Sequence, residues 1–139
     1  MIMGKNILFV CKYNRFRSKI AEDLFDQINK NKSYKAKSAG IIRGSPINSK
    51  QAIICRKKNI ILRNPPRGIS SKLLKWQDVL VIVADDVPTS LFKDNVNYGK
   101  KLIAWRIPDA KRDNEKEIMI IIKMIENKVK KFVREIRDD

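Results

Sequence analysis

The sequence predicts an α/β fold, a three-layer α/β/α arrangement with a central parallel sheet of about four strands. Three observations carry that expectation. Strand-length apolar runs alternate with helical periodicities along the chain. The runs lack the strict in-out alternation of a half-exposed strand, so both faces of the sheet are expected to be covered. The length, 139 residues, suits one domain with its own core. Residues 1–139 are therefore expected to form a single unit, with no internal repeat or linker.

The elements follow in order. Residues 6–10 form a continuous apolar run, the first strand, and residues 19–29 set Ile20, Ala21, Leu24, Phe25 and Ile28 on one helical face. Residues 34–39 give a second strand ended by Gly40. Residues 50–58 give a helix carrying Ala52, Ile53 and Cys55, closed near Asn59. Two prolines and a glycine make 64–68 a loop. A short helix over 70–76 leads to DVLVIVA, residues 78–84, the clearest buried strand in the chain. A short helix over 89–92 and a last strand over 101–107 follow. Residues 115–136 repeat Ile118, Ile121, Ile122, Ile125, Val129, Phe132, Val133 and Ile136 at three- and four-residue spacing, a long amphipathic helix.

Composition narrows the function classes. With 43% hydrophobic and 33% charged residues, disorder and fibrous repeats are excluded. No apolar run has the length of a membrane span or of a signal-peptide core, and a cytoplasmic location is expected. There Cys11 and Cys55 are free thiols. The chain has no histidine, and two cysteines make at most half a structural zinc site, so neither metal nor cofactor is expected. The net charge of +16 attracts anions. Its spread over the whole chain, without interleaved aromatics, argues for a basic solvated surface and against a nucleic-acid partner.

The chemistry gathers in NILFVCKYNRFRSKIAEDLF, residues 6–25. In a doubly wound sheet, ligands bind beyond the carboxyl ends of the strands, where loops enter helices. Cys11 sits there. The N–H groups of the loop 11–17 and the positive end of the following helix converge on one anion, and the same field favours a thiolate. Arg17 adds a planar fork for two phosphate oxygens. Lys12, Tyr13, Asn14, Arg15, Phe16 and Ser18 fill out a nest for inorganic phosphate or a similar oxyanion, and Lys12, Arg15 and Lys19 surround it with positive charge. A thiol held there is placed to attack the phosphorus of a phosphomonoester. Cys55, among Ile53 and Ile54, reads instead as a core thiol. On spacing alone, Asp109 and Asp113 both qualify as the proton donor, and Asp113 equally as a helix N-cap.

The stretch ILFVCKYNRFRSKIAEDLF resembles the phosphate-binding loop of the low-molecular-weight protein tyrosine phosphatase family: Cys, five residues, Arg, Ser, then Ala-Glu in the next helix. KSAGI, residues 37–41, is similar to the family's Ser-Ala-Gly segment, and RIPDAKRD falls where the family keeps its general-acid loop. The likeness covers nearly the whole chain. It implies that Cys11 is the nucleophile, Arg17 the phosphate clamp, Asn14 the brace of the loop, Ser18 the support of the thiolate and Asp109 the general acid. The implied substrate is a phosphorylated protein or a small phosphomonoester, with phosphotyrosine foremost and no metal. Four positions depart from the pattern. Tyr13 stands where the family usually has glycine. Ala110 and Lys111 follow the acid in place of proline and an aromatic residue. Phe16 replaces the second loop cysteine of many members, so peroxide is expected to oxidise Cys11 irreversibly. Two alternative functions remain: arsenate reduction with an external thiol, since the segment after DVLVIVA holds no cysteines for the thioredoxin-coupled route, and non-catalytic binding of phosphoprotein.

Overall fold

The apolar runs assemble into a four-stranded parallel sheet of order β2-β1-β3-β4. Its strands are β1 (Asn6–Cys11), β2 (Lys35–Gly40), β3 (Val79–Val83) and β4 (Lys101–Trp105). The computed structural model describes residues 5–47, 49–110 and 114–137. Five α-helices connect and follow the strands: α1 (Arg17–Ile28), α2 (Ser49–Lys57), α3 (Ser71–Trp76), α4 (Asp94–Asn97) and α5 (Glu115–Arg137). A 3₁₀ turn spans Thr89–Phe92.

Both faces of the sheet are covered, which explains the unbroken apolar strands. Successive side chains of β1 point to opposite faces. Ile7 and Phe9 join the larger core, where Phe9, Phe25, Trp105 and Phe132 pack ring against ring at 5.8–6.5 Å. Leu8 and Val10 join the smaller core, with Leu73 of α3 and Phe92 of the 3₁₀ turn, and Cys11, at the very end of the strand, packs with that cluster too. The apolar stripe of α5 closes the larger face: Ile118, Ile121, Ile125 and Val129 are all fully buried.

Local chemistry sets the ends of the elements. Ser70 caps α3 by accepting from the Leu73 N–H. Asn114 does the same for α5, accepting from the Glu117 N–H at 3.1 Å; Asp113, considered above for that role, lies outside the described residues, as does Lys111. The predicted elements are all present, with ends shifted by one or two residues. The exception in kind is α4, four residues too short to show a period.

The register Cys11↔Gly40 ends the β1–β2 pairing level with the loop that follows Cys11. A side chain at Gly40 would put its Cβ 2.7 Å from the Asn14 nitrogen and from the Tyr13 carbonyl carbon, so glycine is what lets β2 abut that loop.

Candidate active site

The loop between β1 and α1 is fixed from below by Asn14. Its backbone is left-handed (φ 55), a conformation asparagine tolerates better than most residues. Tyr13, in the position where the resemblance leads one to expect glycine, is absent from the positive-φ residues. The turn thus takes its unusual angle at Asn14, and Tyr13 fits without strain.

Asn14 also sets the direction of the hydrogen bonds around the sulfur. Its Oδ1 accepts from the Arg67 N–H at 3.0 Å, which fixes the orientation of the amide. Its Nδ2 donates to Ser18 Oγ at 2.8 Å and to Ser38 Oγ at 2.9 Å. Both amide hydrogens are then used, so each serine oxygen is an acceptor and has its own hydrogen to give elsewhere. Ser38 gives it to Glu22 Oε1 at 2.5 Å. Ser18 gives it to Cys11 Sγ at 3.0 Å. The Asn14 N–H adds a second donor to the sulfur at 3.3 Å. Cys11 Sγ therefore faces two donors, each presenting partial positive charge.

Helix α1 begins at Arg17, and its N-cap residue Phe16 supplies no side-chain acceptor. The first-turn N–H groups are left for an anion. The Phe16 side chain itself is packed in the larger core, so only its backbone belongs to the loop. Lys12 and Arg15 lie over the Tyr13 ring, at 5.3 and 5.2 Å from its centroid. Lys19 differs from the expectation of a charge at the mouth: it is buried, and its Nζ donates to the Arg63 carbonyl at 3.0 Å. Burial drives the Lys19 ammonium below its ordinary value, with Glu22 opposing and Arg67 adding to the effect.

Arg17 is 2% exposed, a buried charge that needs partners. Nη1 donates to the Ile107 carbonyl at 2.9 Å and Nη2 pairs with Asp86 at 3.0 Å. Asp85 stands 3.8 Å from Nη1 and Asp109 3.8 Å from Nε, both beyond hydrogen-bond length. Asp109 is 44% exposed and accepts from the Ala110 N–H at 2.9 Å. Ala110 packs against the larger core. The chain thus holds the guanidinium by its two ends and leaves Nε–H on the side of Asp109.

Cys11, Asn14, Arg17, Ser18 and Asp109 therefore come together, with Lys12, Tyr13 and Arg15 on the rim. The sequence reading assigned no role to Ser38, Glu22, Arg67, Asp85 or Asp86. Asp85 and Asp86 had a signal, since they directly follow the most apolar strand, at the end of a sheet where ligands bind. Cys55 lies in the larger core, whereas Cys11 packs with the smaller, and burial with the nearby Asp23 charge pushes the Cys55 thiol up to about 12. Among the described residues, no group of three His, Cys, Asp or Glu side chains could hold a metal ion, and no helix is long and apolar enough to cross a membrane.

A thiol under two donors, beside a helix start and a buried arginine, at the carboxyl end of a parallel sheet, defines a phosphatase-type oxyanion site. Residues 6–139 match the model of the low molecular weight phosphotyrosine protein phosphatase family. The chain belongs to that family. It is similar to the low molecular weight protein tyrosine phosphatase of T. tengcongensis (21% identity over 94% of this chain and 99% of that one, TM-score 0.80). Arsenate reductase from Archaeoglobus fulgidus is 27% identical over 91% of this chain and 98% of its own, with a TM-score of 0.74. The tyrosine phosphatase Wzb from Escherichia coli K30, solved in complex with sulphate, is 20% identical over 94% of this chain and 97% of its own, with a TM-score of 0.76. The chain has no significant match among curated protein sequences.

Proposed function

We propose that the protein is a cysteine-dependent phosphomonoesterase acting on phosphotyrosine in proteins. The observation that carries this reading is the convergence of Cys11, Arg17 and Asp109, with Arg17 Nε 3.8 Å from the Asp109 carboxylate. A binding module needs the arginine and the loop, but neither the thiol nor the acid.

The reaction runs in two steps. The Cys11 thiolate attacks phosphorus, the bond to the leaving oxygen breaks, and protonated Asp109 gives that oxygen its proton. The product is a phosphocysteine and a free alcohol or phenol. Asp109, now a carboxylate, takes a proton from water as the water attacks phosphorus, releasing inorganic phosphate and the thiolate. Arg17 donates to the equatorial oxygens throughout, with Asp86 and the Ile107 carbonyl keeping the guanidinium in place. Ser18 and the Asn14 N–H steady the sulfur as nucleophile and as leaving group.

The test is p-nitrophenyl phosphate hydrolysis at mildly acid pH, without added metal, by wild type, Cys11→Ser and Asp109→Asn. Loss of activity in the first variant and a fall of about 10²–10⁴-fold in the second are expected. A folded but inactive wild type would overturn the reading. The 27% identity to an arsenate reductase supports one second reading, reduction of arsenate by Cys11 with an external small thiol, and the same samples given arsenate and glutathione decide it.

A further inference from the structure

A cleft of about 220 Å³ opens between β2 and α3, lined by Lys37, Arg67, Ser70, Lys72 and Trp76 among others. Lys37 holds its ammonium 4.4 Å from the centroid of the Trp76 ring. Three cationic side chains thus share one concavity with no carboxylate among its described lining residues. None of the three forms an ion pair among the described residues, whereas Lys123 and Lys130 on α5 both pair with Glu126. Like charges on a wall that includes Leu73 and Trp76 reinforce one another's field, because apolar walls screen poorly.

From this arrangement we infer a second anion site, outside the Cys11 loop, that takes a small molecule bearing two phosphate or carboxylate groups. Lys37, Lys72 and the terminal nitrogens of Arg67 are its cationic partners, and the Ser70 hydroxyl its neutral donor. The site also has a physical route to the loop. Arg67 donates through Nε to the Ser38 carbonyl at 2.9 Å and through its N–H to Asn14 Oδ1 at 3.0 Å, while its own carbonyl accepts from the Gly40 N–H at 2.9 Å. An anion on this guanidinium engages the residue that orients Asn14, and through Asn14 the hydroxyl that faces the sulfur.

Trp76 supplies the readout. Pyrophosphate is titrated into the full chain while tryptophan emission is followed, with sodium chloride of equal ionic strength as the reference. Wild type is expected to give a saturable change that chloride does not reproduce. Lys72→Glu reverses an exposed charge in the first turn of α3, where an acid suits the helix, so the fold is retained. In that variant half-saturation is expected to rise at least about tenfold, the usual scale for losing a charge-assisted contact. Arg17→Lys, which weakens the loop's grip on an oxyanion, is expected to leave the titration unchanged. Absence of a saturable change, a change matched by chloride, or one lost in Arg17→Lys but kept in Lys72→Glu would each overturn the site.

Discussion

At the scale of single residues, the state of Cys11 depends on where one hydroxyl hydrogen points. Asn14 uses both amide hydrogens on Ser18 and Ser38, and this leaves the Ser18 hydrogen for the sulfur. Ser18→Ala removes that donor without opening a void larger than one oxygen. The turnover of p-nitrophenyl phosphate is expected to fall by about 10²–10³-fold, the range for losing one donor to developing charge, with an unfolding midpoint close to wild type. An equal loss of stability and activity would instead mean that Ser18 is structural. Oxidation separates the two thiols. Cys11 packs in the smaller core and Cys55 in the larger, and Cys55 is buried with its thiol pushed up to about 12. Peroxide is expected to carry Cys11 to sulfinic and sulfonic acids with Cys55 untouched. A recoverable Cys11–Cys55 disulfide in the mass spectrum would contradict this. Cys11, Asn14, Arg17 and Ser18 were legible in the sequence because one loop of eight residues contains them all. The roles of Ser38 and Arg67 were not, since they reach the site from distant segments and only strand register and loop packing bring them there.

At the scale of elements, the sequence pattern found every strand, the four longer helices and the 3₁₀ turn, but apolar periodicity was blind to polar ends. It placed the start of α1 at residue 19, whereas the helix begins at Arg17 because its first turn, Arg17 and Ser18, is buried for contacts that are polar. It also missed α4, where Asn95 is held by Gln77 and the Lys101 carbonyl and not by apolar packing. Two predictions belong here. Asn114→Ala removes the acceptor at the start of α5 and is expected to cost about 1 kcal/mol in urea unfolding. The second concerns Asp26, on the outer surface of α1. Partial burial, with the charges of Glu22 and Asp23, raises its carboxyl from the ordinary 3.8 to about 6. The folded state therefore binds the proton more tightly than the unfolded chain does. The resulting stability is complete below 3.8 and is lost as pH rises to about 6. Asp26→Asn is expected to unfold at higher urea than wild type at pH about 7 and to lose that advantage near pH about 4, below which the two carboxyl states no longer differ. A difference that does not depend on pH would show that the carboxyl's charge is not its cause.

At the scale of the whole molecule, two charge distributions act over different ranges. The net +16 is spread over the surface, and its field reaches a substrate before contact. Close to the reacting atoms the balance reverses, because Asp85, Asp86 and Asp109 all stand within 3.8 Å of the Arg17 guanidinium. The local acids offset the arginine and keep the nest from holding any passing anion too firmly. Between these two ranges lies the rim, where Lys12 and Arg15 rest on Tyr13 and no aromatic follows Asp109. Preference among phosphotyrosine peptides should therefore depend on charge next to the phosphotyrosine. At low ionic strength, kcat/KM for a peptide with flanking glutamates is expected to exceed that for flanking lysines by about tenfold or more, the lower end of electrostatic steering. Raising salt to about 1 M shortens the screening length to about 3 Å and should bring the ratio close to one. The pair Lys12→Gln and Arg15→Gln should lower the ratio at low salt while leaving p-nitrophenyl phosphate, which carries no flanking charge, far less affected. A ratio indifferent to both salt and these substitutions would mean that the surface charge has no part in choosing the substrate.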